Sequence, residues 1–231
     1  MKKHIIKLCF TLCVVCYPVM AQENSIKDVI PKNWKIIQEV KGDLNKDKTD
    51  DLVLIIEEKD PNKIIKNTSF GRDYLNTNPR GIMIFFNKQN KYVLVEKNLK
   101  GFVPSENDAN NSCREDPLNK IGINNGILVV PFNYWLSCGS WYVNNAKYKF
   151  RYQNKKFELI GFEHFEIHRA SGNKSELSIN FLTKKKAITT GGNEFSDTED
   201  NPKTIWSKIK IDKLYQLENC TENTYFDVLE D

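Results

Sequence analysis

The sequence predicts an all-β domain, an antiparallel meander of about eight to ten strands with propeller-blade-like hairpins and little helix. Apolar residues recur with a period close to two along most of the chain. Turn-forming pairs rich in Asn, Gly and Lys separate these stretches, and no long helical period occurs. The 231 residues are enough for one such domain with a sizeable core.

The predicted elements follow one another along the chain. A short helical turn over 25–30 ends at Pro31. The sequence Asn-Asn-Gly at 124–126 predicts a tight hairpin, because Asn and Gly accept positive φ. Regular alternation over 146–152 predicts a strand with one packed and one solvated face. The predicted strands cover 34–40, 52–56, 82–86, 92–95, 121–123, 127–130, 146–152, 157–162, 177–181, 187–190 and 204–211.

The first 21 residues are typical of a secretory signal peptide. Lys2, Lys3 and Lys7 make its start positive, and an apolar run of about ten residues follows, shorter than the roughly 20 that span a bilayer. Small residues at 19 and 21 favour cleavage after Ala21. An uncleaved anchor is the alternative, and a lipoprotein signal is disfavoured because no small residue precedes any of its three Cys.

Residues 22–231 are then the mature chain, a single β-rich domain exported to the periplasm or the cell exterior. Removing three lysines and no acidic residue lowers the formal charge from +4 to +1. A near-neutral chain with alternating signs is not typical of nucleic-acid binding, and no later apolar run is long enough to span a membrane. We therefore expect the partner to be a protein or a glycan.

The segment between the first two predicted strands reads GDLNKDKTDDLVL. Oxygen-bearing side chains recur at every second position and turn toward one centre in a tight loop. Ca²⁺ takes six to eight oxygen ligands at about 2.3–2.6 Å, carboxylates and carbonyls alike. The sequence predicts a structural calcium site, and the alternative is an acidic turn that binds no ion tightly. The predicted ligands are the side chains of Asp43, Asn45, Asp47 and Asp51 and the main-chain carbonyl of Thr49.

The loop does not follow the EF-hand pattern, because its sixth position is Lys48 and its twelfth is Leu54, and strands flank it. It resembles the strand–calcium loop–strand motif of FG-GAP and VCBS-type repeats, found in integrin-like propellers and in many exported bacterial proteins. That pattern is Asp-x-Asn/Asp-x-Asp-Gly-x-x-Asp followed by an apolar strand. The resemblance assigns the same ligands. The loop departs from the family pattern at Lys48, where the family usually has Gly. Lys48 adds roughly 1 kcal/mol of strain if the position needs positive φ.

Beyond this motif, the layout is similar to that of small exported bacterial proteins. In these a signal peptide precedes GDLNKDxxDDLVLII, and YKFRYQNxxFELIG and INFLTKKK follow. The resemblance spans most of the mature chain and implies no activity.

Three Cys remain in the mature chain: Cys113, Cys138 and Cys220. In an oxidising compartment they permit one disulfide and a free thiol, or an intermolecular link, and spacing does not choose among the three pairings. Cys113 and Cys220 lie in polar, loop-like segments, whereas Cys138 lies in an aromatic one, so we favour Cys113–Cys220. The absence of a Cys-x-x-Cys pattern gives a zinc ribbon no support.

Catalytic patterns are weak. His164 and His168 have the spacing of zinc ligands on a helix, but Phe165 follows where a metalloprotease has Glu, and on a strand the rings lie too far apart. Cys138 before Gly139 carries no signature of a cysteine nucleophile. Paired carboxylates for glycoside hydrolysis leave no pattern in the sequence.

The aromatic residues near Cys138 allow two interpretations. They form either a platform for sugars or peptides, or sheet core plus edge packing, which aromatic-rich strands usually provide. We favour the second interpretation. These residues are Phe132, Tyr134, Trp135, Trp141 and Tyr142.

The function predicted from the sequence is that of a non-catalytic exported module that engages a macromolecule. The alternatives are an exported hydrolase acting on envelope or polysaccharide material, and a secreted inhibitor or immunity-type protein.

Overall fold

The structure is a computed structural model that describes residues 26–196 and 201–230. The predicted signal segment lies outside the described residues. The helices are α1 (Ile26–Val29) and α2 (Thr224–Glu230), with 3₁₀ turns at Pro61–Lys63 and Leu217–Asn219. The strands are β1 (Trp34–Gly42), β2 (Asp51–Glu58), β3 (Ile64–Lys66), β4 (Tyr74–Asn76), β5 (Arg80–Lys88), β6 (Lys91–Asn98), β7 (Gly122–Asn124), β8 (Ile127–Tyr134), β9 (Tyr142–Gln153), β10 (Lys156–His168), β11 (Asn173–Asn180), β12 (Lys185–Asn193) and β13 (Lys203–Lys208).

The first sheet has four antiparallel strands in the order β1-β2-β5-β6. Its central strands are nearly continuous apolar runs, because both faces of the sheet are covered. Val53 and Ile55 face the main core, whereas Leu54 and Ile56 face a second apolar cluster that includes Val29 of the N-terminal segment. The sheet has the size of a propeller blade.

The second sheet is a continuous antiparallel meander of seven strands, β7 to β13 in chain order. Along β9, Ala146, Tyr148 and Phe150 are buried against the first sheet, and Lys147 and Lys149 point to the opposite, outer face. This is the pattern that the alternation predicts for a sheet with one solvated face.

The C-terminal segment completes the core on the inner face of the second sheet. Leu217, Cys220 and Val228 are buried in the main cluster. The amide of Asn98 donates to the carbonyls of Leu217 and Cys220, at 2.5 and 2.7 Å, and so joins this segment to the first sheet. Because these carbonyls are buried, their hydrogen bonds prevent a desolvation cost.

The hairpin turns form where the sequence predicts them. Asn125 and Gly126 have φ of 50° and 75°, and Asn154 and Lys155 have φ of 52° and 61°. Two consecutive left-handed residues match the twist of the flanking strands, as in type I′ turns.

The all-β prediction and the meander are confirmed. Ten strands have six residues or more, and three have three residues. The two-stranded sheet of β3 and β4 and the helix α2 were not predicted. Among the described residues, no helix has the length and apolar character needed to cross a membrane.

Candidate functional site

The acidic loop joins β1 to β2, and its polar side chains turn back onto its own backbone. The carboxylate of Asp43 accepts hydrogen bonds from the amides of Lys46, Asp47 and Lys48, at 2.6, 3.2 and 2.9 Å. Asn45 Oδ1 accepts from the Asp47 amide at 2.9 Å, and Asp47 Oδ1 accepts from the Thr49 amide at 2.9 Å. Successive Asx-type turns therefore shape the loop.

Asp51 differs from the other predicted ligands because its side chain is fully buried. One carboxylate oxygen accepts from the Leu44 and Asn45 amides, and the other accepts from the Asn87 amide at 3.0 Å. Burial raises the pKa of Asp51, and the three amide hydrogen bonds oppose that rise. In this structure Asp51 anchors the loop to the neighbouring strand.

With Asp51 so engaged, the loop keeps the carboxylates of Asp43 and Asp47 at its surface. Hydrogen bonds from Thr49 and Asn45 lower the pKa of Asp47. Across residues 26–196 and 201–230, no three His, Cys, Asp or Glu side chains are grouped so that they could hold a metal ion. Calcium binding by the predicted ligands stays a prediction.

The predicted pairing of Cys113 with Cys220 is wrong in this structure, where Cys113 is bonded to Cys138 with a Cα–Cα distance of 5.3 Å. The pairing joins the connection between the two sheets to the loop between β8 and β9. Cys220 is a buried free thiol, whose pKa burial raises to about 12. A Cys in a polar segment of sequence is thus a core residue here.

The two histidines lie on β10, as the strand interpretation requires, and each has its own partner. His164 Nε2 lies 2.8 Å from the hydroxyl of Tyr225 on α2. His168 Nδ1 lies 2.9 Å from Ser171 Oγ, and its ring stacks on Trp141 at 5.8 Å between centroids and 11° between planes. The two do not form a shared zinc site.

The aromatic residues near Cys138 divide between the two interpretations. Phe132 is buried in the core and Tyr134 packs against it, as predicted. Trp135, Trp141 and Tyr142 are exposed at one end of the second sheet, and Trp141 is 64% exposed. These three lie outside the sheet core, and their contacts are edge packing on Arg169 and His168.

Two further exposed aromatic residues lie on segments that are bonded to this end of the second sheet. The carbonyl of Phe70 accepts from the hydroxyl of Ser112, next to Cys113, at 2.7 Å. Phe195 packs against Gly172, and the Gly172 amide donates to the His168 carbonyl at 2.8 Å. We name this surface the aromatic rim, formed by Phe70, Trp135, Trp141, Tyr142 and Phe195.

Arg169 and the disulfide fix the loop that carries the rim. The guanidinium of Arg169 lies 4.3 Å above the Trp135 ring and donates to the carbonyls of Leu136 and Ser140, each at 3.2 Å. Its amide also donates to the Trp141 carbonyl at 2.7 Å. A cation–π contact and three hydrogen bonds from one residue hold both tryptophans in place.

A recess of about 350 Å³ lies beside the rim. Its wall combines the rings of Tyr142 and His168 with hydrogen-bonding groups. Aromatic faces beside amide, hydroxyl and carboxylate groups suit a ligand that is apolar on one side and polar on the other. The polar groups are those of Glu166, Ser171, Asn173, Lys174 and Ser175.

A groove of about 580 Å³ crosses the outer face of the second sheet. Glu163 and Glu176 are its two carboxylates. Glu163 forms ion pairs with Lys149 and, at 3.8 Å, with Lys147. Two ammonium groups already neutralise one member of the pair, so the groove does not present two free carboxylates of the kind that glycoside hydrolysis uses.

Comparison of the chain with models of protein families, with curated proteins and with solved structures finds no match in any of the three. The functional argument therefore rests on the geometry of the molecule.

Proposed function

We propose that the mature chain is a non-catalytic exported module, periplasmic or extracellular, that binds a glycan or a protein through the aromatic rim. The observation that carries the proposal is a set of five exposed aromatic side chains on segments that hydrogen bonds, ring contacts and the disulfide join near one end of the second sheet. Exposed large apolar side chains that are grouped in one region of a protein surface mark an interaction site. Aromatic residues supply much of the binding energy at such sites.

The rim is also rigid before binding. Trp141 stacks on His168 on one face, which leaves the other face for a ligand, and Arg169 and the disulfide hold the loop. Rigid aromatic side chains lose little conformational entropy on binding. A preformed flat ring beside a polar recess suits the apolar face and the hydroxyl edge of a sugar.

A pair of tryptophan variants tests the proposal. Co-sedimentation with insoluble peptidoglycan and affinity electrophoresis in neutral and acidic polysaccharides measure binding by the wild type, Trp141→Ala and Trp206→Ala. Trp206 is a matched control, because it is 68% exposed and lies on β13. We expect Trp141→Ala to weaken binding about tenfold or more, the loss typical of a buried aromatic anchor, and Trp206→Ala to leave it unchanged.

Equal loss in the two variants, or binding that neither variant affects, would contradict a role for the rim. If the rim binds a protein, co-purification yields one stoichiometric partner that Trp141→Ala releases. That result would support an inhibitor or immunity-type role within the proposed function.

The proposal includes a structural calcium ion in the acidic loop. Its support is the ligand pattern of the loop together with the left-handed backbone of Lys48, φ 70°, at the position where the resembling family has Gly. Asp43, Asn45, Asp47 and the Thr49 carbonyl would hold the ion, and Asp51 would anchor the loop beside it. A bound cation would neutralise Asp43 and Asp47 and tie β1 to β2.

Thermal melting in a calcium titration tests this part independently. A ligand that binds only the native state raises Tm. At a ligand concentration 100 times its Kd, it adds about 2.7 kcal/mol to the free energy of unfolding. We expect a rise in Tm at millimolar Ca²⁺ in the wild type and none in Asp43→Asn with Asp47→Asn. Magnesium serves as the ionic-strength control, and an unchanged Tm in the wild type would remove calcium from the proposal.

A further inference from the structure

Strand β13 forms one edge of the seven-stranded sheet. It pairs with β12 on one side, and no described strand pairs with its other side. All six of its residues are exposed. Such an edge presents a row of backbone donors and acceptors that can accept a further strand.

The centre of this edge carries two large apolar side chains on opposite faces of the sheet. Ile205 aligns with Ile188, which is itself exposed, and Trp206 aligns with Ala187 on the outer face. Ile205 and Trp206 are each 68% exposed. An edge strand without a partner usually carries charge here to prevent pairing, so two apolar residues at its centre favour pairing.

Lysines mark both ends of the same strand. Lys203 aligns with Thr190 on the face that carries Ile205, and Lys208 aligns with Lys185 on the face that carries Trp206. Like charges directly opposite each other destabilise a sheet. Lys185, Lys203 and Lys208 form no ion pair with any residue of 26–196 or 201–230. Among the described residues, therefore, both faces at this edge carry a lysine without an acidic partner.

We propose that the β13 edge binds an extended acidic segment of another protein as an additional antiparallel strand. The two central residues of the segment would be apolar and would meet Ile205 and Trp206, and an acidic residue at each end would meet Lys203 and Lys208. This site is separate from the aromatic rim and does not depend on the function proposed for it.

The distribution of the lysines selects a strand over a nucleic acid. Lys203 and Lys208 lie on opposite faces, and consecutive side chains of an added strand also alternate between the faces. A phosphate backbone follows one face and would meet one of the two.

The same charges disfavour a second copy of this chain. In the register that pairs all six residues of two antiparallel β13 strands, Lys203 of each copy lies opposite Lys208 of the other. Two like-charge pairs would then flank the contact, and each is destabilising.

Synthetic peptides test the proposal on the purified protein. The probe contains, in order, glutamate, threonine, valine, valine, threonine and glutamate, with both ends blocked. Isothermal titration measures its affinity, and amide chemical shifts locate its site. We expect shifts confined to β12 and β13, and a loss of affinity of tenfold or more in the exposed double variant Lys203→Glu with Lys208→Glu. Lys88→Glu with Lys97→Glu, two exposed lysines of the first sheet, makes the same change of charge and is the control that keeps full affinity.

Two further peptides separate strand addition from simple charge attraction. A peptide with lysine at both ends should prefer the double variant to the wild type by a similar factor. A peptide with proline in place of the first valine should lose binding, because proline removes a backbone donor.

Four results would overturn the proposal. They are no peptide binding at millimolar concentration, equal binding of the proline peptide, tighter binding of a single-stranded oligonucleotide at the same edge, and a dimer in sedimentation that Ile205→Lys abolishes.

Discussion

Lys48 has a left-handed backbone, with φ of 70°, in a loop whose shape depends on side-chain hydrogen bonds. The Asp43 carboxylate accepts the Lys48 amide at 2.9 Å and so fixes this conformation. A side chain with a Cβ costs roughly 1 kcal/mol more than glycine in this region. The sequence predicts strain at Lys48 if this position has positive φ, and the structure has positive φ there.

Lys48→Gly should stabilise the protein by up to about 1 kcal/mol, because the strain it removes exceeds the entropy that glycine adds to the unfolded chain. For a domain of this size the rise in Tm is then at most about 2–4 °C. Differential scanning calorimetry without added calcium measures it. Asp50→Gly is the control in the same loop, because Asp50 does not have positive φ. It should destabilise, since glycine adds entropy to the unfolded chain. Destabilisation by both variants would contradict the strain argument.

Residue identity alone predicts only part of the loop. Alternate oxygen-bearing side chains predict a turned loop, and Asp43, Asn45 and Asp47 form one. The sequence does not reveal that Asp51 is buried and bound to the amide of Asn87, which is 36 residues away. Burial depends on how β2 packs against β5, and no local pattern encodes that distance.

At the scale of elements, a hydrogen bond between two partly buried side chains, His164 of β10 and Tyr225 of α2, joins the strand to the helix. Burial lowers the pKa of His164 and raises the pKa of Tyr225 to about 12. In the neutral tautomer with the proton on Nδ1, the Tyr225 hydroxyl donates to His164 Nε2, 2.8 Å away. Protonated His164 carries an N–H at Nε2, which then donates to the Tyr225 hydroxyl oxygen, so the cost of protonation is the burial of the charged ring.

Stability should therefore fall as the medium becomes acidic. Because the pKa of His164 is lower in the folded state than the unfolded value of about 6.5, the contribution is present above that value and is lost as pH falls through it toward the folded pKa. The free energy of unfolding should change by less than about 1.4 kcal/mol per pH unit, which is the limit for one proton. Urea unfolding at pH 7.5, 6.5 and 5.5 measures it.

Two variants test whether the pH dependence of stability comes from the contact between His164 and α2. His164→Gln removes the titrating group and keeps an acceptor, so its stability should vary less over the same pH range. His168→Gln, on the same strand but outside the contact with α2, should keep the wild-type slope. A slope that His164→Gln leaves unchanged would place the pH dependence elsewhere.

Local patterns predict the strands better than they predict what covers them. The alternation from Ala146 to Tyr152 identifies β9 and its buried face, and Asn125-Gly126 identifies a hairpin. The C-terminal segment is mostly polar in sequence, yet Leu217, Cys220 and Val228 close the core. Its burial depends on the inner face of a sheet formed by residues far away in the chain.

For the molecule as a whole, the connection from β6 to β7 is the point where the chain passes from one sheet to the other. Arg80, 4% exposed, pairs with Glu57 at 2.8 Å and with Asp116 of this connection at 2.6 Å. The Cys113–Cys138 disulfide joins the same connection to the loop between β8 and β9. A buried ion pair and a covalent bond thus hold the two sheets and the aromatic rim together.

Removing the disulfide should destabilise the molecule and loosen the rim. The disulfide joins residues separated by 25 positions in the sequence. A cross-link over a loop of this length lowers the entropy of the unfolded chain and adds about 3 kcal/mol to the free energy of unfolding. Cys113→Ser with Cys138→Ser should therefore lower Tm by roughly 6–12 °C. Reductant provides the control: it should lower the Tm of the wild type toward that of the variant and leave the variant unchanged. Thermal melting with and without dithiothreitol measures both effects.

Mapping the free thiol distinguishes the Cys113–Cys138 pairing from the Cys113–Cys220 pairing that the sequence favours. In the chain over 22–231 with Cys113–Cys138 formed, the native protein should show no reactive thiol, because Cys220 is buried and its pKa is raised to about 12. Unfolding without reductant should expose one thiol, and peptide mapping should place it at Cys220. A thiol mapped to Cys138 would restore the Cys113–Cys220 pairing. It would also remove the covalent support of the rim, because the loop that carries Trp135 and Trp141 would then be held by Arg169 and by hydrogen bonds such as that of Ser137 to Cys113.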